Sequence, residues 1–176
     1  MTSPVLHTER LVLSAPGPED MDAMVQFFSE DRAQFYGGPL GPGPAWRRFS
    51  EYAGQWAFRG YGFFAVRLKD GGATIGLAGP YHPGDFPEPE MAWLLTSEAY
   101  EGKGYAREAS TAVLAHLFSD LKWRSVVSYI DPDNHASRAL ALKLGAEPDR
   151  DSPPPPAALP GVQAFRHWPG ANRVVA

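Results

Sequence analysis

Residues 100–109, YEGKGYAREA, constrain this chain more than any other stretch. The run EMAWLLT (90–96), which reads as a strand buried on both faces, leads into them, and a helical run follows at once. Glycine costs a helix about 1 kcal/mol relative to alanine. Two glycines at a helix start therefore signal an unusual backbone angle or a close approach by another group. A strand, a glycine turn and a helix also make a place for an anion. The first amides of a helix lack internal partners, and the helix dipole adds partial positive charge there. Gly102 and Gly104 let a phosphate come close to the backbone, and Lys103 adds charge at the rim. The spacing is neither GxxxxGKS/T nor GxGxxG, since position 107 is Arg107. By itself the turn is equally a structural one.

The flanking pattern places this turn in a mixed α/β sheet. TERLVLS (8–14) reads as a first strand, broken by Pro16-Gly17-Pro18. Pro18 and the acids Glu19, Asp20 and Asp22 suit a helix start, with Met21, Met24, Val25 and Phe28 at helical spacing behind them. After the loop GGPLGPGP (37–44), Pro44 opens a second helix predicted to carry Trp46, Phe49, Ala53, Trp56 and Ala57 on one side. FFAVRLK and ATIGLAG, joined by Asp70-Gly71-Gly72, read as a β-hairpin. The helix after the glycine turn runs to about Leu121, with Ala106, Ala109, Val113, Leu117 and Leu121 as its expected core stripe. SVVSYI (125–130) is a strand, and Asn134 to Leu144 a helix closed by Gly145. DSPPPPAALPG (151–161) favours extended polyproline, and VQAFRHW offers a last strand.

Composition sets the outer limits. At 176 residues the chain suits a single domain, 1–176, with 44% hydrophobic and 20% charged residues. The formal charge of −4 argues against a basic nucleic-acid-binding face and is compatible with cationic acceptors such as amines. With no cysteine there is no disulfide, thiolate metal site or thiol nucleophile, which fits the cytoplasm. No signal peptide or membrane-spanning run is evident, so a cytoplasmic location with no membrane partner is expected.

Four motifs occur in order: TERLVL (8–13), ExxWLL (90–95), YEGKGYAREA (100–109) and NxxSxxLxxKLGA (134–146). The set resembles the GNAT superfamily of N-acetyltransferases over residues 8–149, and within it the branch of ribosomal-protein N-terminal alanine acetyltransferases. The resemblance implies a mostly antiparallel central sheet with one splayed parallel pair and helices on both faces. It also implies acetyl-coenzyme A as cosubstrate, with no metal.

Carried over residue by residue, the resemblance makes Gly102, Lys103, Gly104, Tyr105 and Ala106 the pyrophosphate cradle, with Arg107 one step beyond. Glu101 stands where the family prefers glutamine or arginine. Leu95 and Thr96 become backbone contacts for the pantetheine arm, and Asn134 a contact that also suits a helix N-cap. Glu90 is the implied base, with His135 and His82 as second and third candidates. The family's usual acid, a tyrosine in the last helix, falls at Ala141, so Ser137 is the implied partner of the leaving sulfur. The acceptor is then a small-molecule amine or a peptide or protein amine, and a homodimer is compatible. A catalytically lapsed acyl-coenzyme-A-binding module is the alternative.

Overall fold

The computed structural model describes residues 3–153 and 159–170. Residues 154–158, which hold three of the four consecutive prolines of the expected polyproline run 151–161, lie outside them. The strands are β1 (Leu6–His7), β2 (Leu11–Ser14), β3 (Phe64–Leu68), β4 (Thr74–Tyr81), β5 (Glu90–Leu95), β6 (Val126–Ile130), β7 (Glu147–Pro148) and β8 (Gln163–His167). The helices are α1 (Met21–Ser29), α2 (Pro42–Arg59), α3 (Tyr105–Ser119) and α4 (His135–Lys143). A short 3₁₀ segment, Asp31–Tyr36, joins α1 to the loop before α2.

All eight strands form one sheet in the order β1-β2-β3-β4-β5-β6-β8-β7, antiparallel except for β5 beside β6. That is the sheet the resemblance implies. The β3–β4 hairpin turns through Gly71 and Gly72, both at positive φ, as the Asp-Gly-Gly signal predicts. Between Val66 and Arg67 the register slips, because β4 carries an extra residue, Ile75. Such a bulge changes which face the following side chains take. Ile75 accordingly belongs to one core, whereas Leu77 belongs to the other.

Two cores sandwich the sheet. Met24, Phe27 and Phe28 of α1 and Phe49 and Tyr52 of α2 pack on Phe63, Ala65, Leu77 and Leu94. On the opposite face Ala109, Val113, Leu114 and Leu117 of α3 and Ala141 of α4 cover Leu11, Leu13, Phe64, Val66 and Trp93. Strand alternation does the sorting, since Phe63 and Ala65 face one side and Phe64 and Val66 the other.

Two helical stripes differ from expectation. In α2 the buried positions are Ala45, Phe49, Tyr52 and Gln55, while Trp46 is 55% exposed. The helix starts at Pro42, and its face is set by the aromatic cluster around Tyr52 rather than by the tryptophans. α3 ends at Ser119, so Leu121 lies beyond it and is exposed.

The start of α1 is tied to the hairpin by a buried carboxylate. Asp20 is fully buried and accepts hydrogen bonds from Arg67 Nε (2.9 Å), Thr74 Oγ1 (2.6 Å) and the Gly17 amide (2.8 Å). Removing one partner of such a group leaves a charge stranded in a low dielectric. Arg67→Ala is expected to destabilise the fold by about 3–5 kcal/mol, read as a lower urea midpoint.

Candidate active site

The glycine turn is open where an anion would sit. Gly102 and Gly104 both have positive φ, +69° and +81°. A Cβ on Gly102 would meet nothing within 4 Å, and one on Gly104 would meet only Arg10 Nη2 at 3.5 Å. Gly104 is the N-cap of α3 and offers no side chain, so the first amides of the helix stay free for a ligand. Tyr105 and Ala106 begin the helix, and Lys103 is exposed at the rim.

The TERL motif holds this turn in place. Glu108 in the first turn of α3 accepts from Thr8 Oγ1 (2.6 Å), the Arg10 amide (2.8 Å) and Arg10 Nε (2.7 Å). Partial burial opposes its charge, but these hydrogen bonds outweigh that and keep the carboxyl below its usual range. Arg10 also donates from Nη1 to the Lys103 carbonyl (2.9 Å) and stacks over the Tyr105 ring at 4.4 Å. Glu101 forms an ion pair with Arg32 of the 31–36 segment, so its charge beside the turn is countered.

From the turn, β5 runs back along a gap. Its residues pair with β4 from Glu90 to Leu95, but the register with β6 is a single pair, Glu90 with Val127. The strands therefore close at Glu90 and part beyond it. Alternate residues of a strand present their backbone groups to opposite edges. The Thr96 amide donates to Ile75 of β4 (2.9 Å), so Met91, Trp93 and Leu95 turn theirs to the gap. Of the two expected backbone contacts, Leu95 faces the opening and Thr96 is committed to β4. Ser128 Oγ donates to the Met91 carbonyl at 2.5 Å, and the Tyr36 hydroxyl donates to that of Trp93.

The gap opens into a cavity of about 550 Å³ that brings Glu90, Asn134 and Ser137 together. Its walls are strongly aromatic, with Tyr36, Tyr52, Phe63, Tyr81, Phe86 and Tyr129, and it carries the acids Glu51, Asp85, Glu90 and Asp131. Glu90 is 8% exposed, and its carboxyl accepts a hydrogen bond from the Tyr129 amide at 3.4 Å. Burial pushes its carboxyl up to about 8, and that one long hydrogen bond offsets little of the rise. Asn134 caps α4 by accepting from the Ser137 amide (3.1 Å), which places Ser137 in the first turn, half-buried in the cavity wall.

The histidine candidates lie elsewhere. His135 is exposed on α4, and His82 is held at 2.9 Å by the Tyr61 hydroxyl; neither lines the cavity. Ala141 is fully buried in the α3-side core, so that position presents no side chain to the cavity. Tyr36 is not among the residues that the sequence motifs single out, yet it lines the same cavity as Ser137, within reach of its hydroxyl. Nothing in the local sequence marks it, because the contact joins residues 36, 93 and 137.

The sequence profile of the Acetyltransferase (GNAT) domain family matches residues 10–147, and the chain belongs to that family. An acetyltransferase structure from Agrobacterium tumefaciens is 34% identical, with 95% of each chain covered and a TM-score of 0.86. A ribosomal-protein-S5-alanine acetyltransferase from Vibrio fischeri shares the fold at 16% identity and a TM-score of 0.67, over 94% of this chain and 96% of its own. YnaD of Bacillus subtilis, an uncharacterized N-acetyltransferase, is 29% identical over 82 residues, 47% of this chain and 48% of that protein. The match thus spans about half the length of that curated relative. Enzymes of this family use acetyl-coenzyme A, and the open turn and parted strand edge fit its diphosphate and its amide-bearing arm. Among the described residues there is no cluster suited to a metal and no helix long and apolar enough to cross a membrane.

The Glu90 environment can be tested without any ligand. A carboxyl raised from 4.5 to about 8 keeps its proton in the folded state while the unfolded chain loses it. Stability relative to Glu90→Gln is therefore present below pH 4.5 and is lost as pH rises towards 8. Urea midpoints of the two proteins across that range are expected to diverge in this direction.

Proposed function

We propose that this chain transfers the acetyl group of acetyl-coenzyme A to a primary amine by direct attack in a ternary complex. The acceptor is a peptide N-terminus, a lysine or a small-molecule amine. One observation carries the reading: the open glycine turn and the parted strand edge lead straight into a cavity walled by a buried carboxyl.

The chemistry fits these residues. A lysine-type amine has a reference pKa of about 10.4 and must be neutral to attack. Glu90, with its carboxyl near 8, collects the amine's proton directly or through water. The acids around the cavity attract the cationic form of the acceptor, and the aromatic walls accept its apolar body. Gly102, Lys103, Gly104, Tyr105 and Ala106 hold the diphosphate, Leu95 and Asn134 the arm, and Ser137 hydrogen-bonds the leaving sulfur.

The test is titration of acetyl-coenzyme A by calorimetry together with thiol release over an amine panel. Gly102→Val/Gly104→Val is expected to abolish binding, since valine strains both positive-φ positions and fills the turn. Glu90→Gln is expected to bind normally, to lose about 10²–10⁴-fold in kcat, and to lose the rise of parent activity through pH 8. Binding by the parent with no thiol release from any amine would support the lapsed acyl-coenzyme-A-binding module instead.

The Arg32–Glu101 pair generates a separate prediction. Arg32→Ala leaves Glu101 facing the diphosphate and is expected to weaken coenzyme A binding about fivefold, the scale of an exposed charge pair. Adding Glu101→Gln is expected to restore most of that loss, read by the same titration.

A further inference from the structure

We propose that the Tyr36 hydroxyl is the proton donor to the departing coenzyme A sulfur, in partnership with Ser137. This rests on the acetyl-transfer reading above. A serine hydroxyl alone is a poor acid, and the helical position where the family keeps its tyrosine is buried here as Ala141. The gap between β5 and β6 has a blind end, closed by the Glu90–Val127 pair and by Ser128 Oγ on the Met91 carbonyl. An arm that enters at the Gly102 end and follows β5 must therefore stop beside Trp93. The Trp93 carbonyl is the group that the Tyr36 hydroxyl holds, and Ser137 stands next to that hydroxyl in the cavity wall.

Tyr52 from α2, Glu90 from β5 and Ser137 from α4 line the same cavity as this hydroxyl, and Arg32 on its own segment adds a positive charge. Loss of hydration raises the phenol above its ordinary range, against the smaller opposing effect of Ser137, so it keeps its proton at neutral pH. Rotation about the Cζ–Oη bond turns that proton from the Trp93 carbonyl towards a sulfur beside it. As the C–N bond forms and the C–S bond breaks, the amine's proton passes to Glu90 and the Tyr36 proton passes to sulfur. The proton on Glu90 then refills Tyr36. The products are the amide and the free thiol, and no other reactant is needed.

The test uses Tyr36→Phe, which keeps the ring and its edge contact with Phe27, 5.7 Å between centroids. Coenzyme A and desulfo-coenzyme A are titrated into both proteins between pH 7 and 9.5. A thiol of reference pKa about 8.5 that is lowered by one unit on binding gains about tenfold in affinity at the upper pH. The parent is expected to show that gain with coenzyme A and not with the desulfo analogue, which reports Glu90 and any other titrating group equally. Tyr36→Phe is expected to lose the gain while binding the desulfo analogue as the parent does. In thiol-release assays its kcat is expected to fall about 10²-fold with KM for acetyl-coenzyme A nearly unchanged. A variant that keeps the pH-dependent gain, or whose kcat matches the parent, overturns the proposal. If the parent releases no thiol from any amine, the acetyl-transfer reading fails, and the binding comparison still decides the contact between Tyr36 and sulfur.

Discussion

The parting of β5 from β6 after a single registered pair is the constraint on which the site depends. Unpaired carbonyls on a buried strand are costly unless another donor reaches them. Here Ser128 Oγ serves Met91 and the Tyr36 hydroxyl serves Trp93. His167 Nε2 lies 3.0 Å from the same Ser128 oxygen. Because the serine proton goes to Met91, the imidazole N–H points at serine. Burial holds this histidine neutral, its pKa lowered to about 4. Side chains thus stand in for a strand ladder, and the gap stays open at one end and shut at the other.

Anchors on either side keep that opening in shape. The turn end is fastened by Glu108, gripped by Thr8 and Arg10 across about a hundred residues of chain. At the other end Arg166 of β8 holds Glu88 with two hydrogen bonds, 2.5 and 2.8 Å, and Asp149 with a third of 2.7 Å. That fork fixes the loop leading into Glu90, so the buried carboxyl enters the cavity from a rigid base. These pairs are half-buried and multiply bonded, unlike surface ion pairs, which contribute little.

Much of this was legible in the sequence because local chemistry dictates it. The Asp-Gly-Gly hairpin, the Asn134 cap and the glycine turn each follow from what one or two residues allow their own backbone to do. The joint placement of Glu90, Asn134 and Ser137 followed from motif order and the implied fold. What escaped was non-local. The phase of α2 depends on Tyr52 meeting Phe28, Phe63 and Tyr81 on other elements, and helical spacing alone favoured Trp46 and Trp56 equally well. The commitment of Thr96 to β4 depends on the β4–β5 register, which sets Gly76 opposite Leu95 and so brings the Ile75 carbonyl to the Thr96 amide. Tyr36 escaped for the same reason, since its partners lie on β5 and α4.

Glu101 shows how a departure from a family pattern can be absorbed elsewhere in a fold. An isolated carboxylate at the mouth of an anion site would repel the ligand, yet this one is paired by Arg32, whose side chain is 18% exposed. Arg32 and Tyr36 lie on the same six-residue 3₁₀ segment, Asp31–Tyr36. One end of that segment therefore touches the glycine turn, and the other touches the carbonyl at the blind end of the gap. A positive charge that the family pattern places on the turn is here supplied from the segment that also lines the cavity. In this chain the acid at position 101 ties the glycine turn to the segment that walls the cavity.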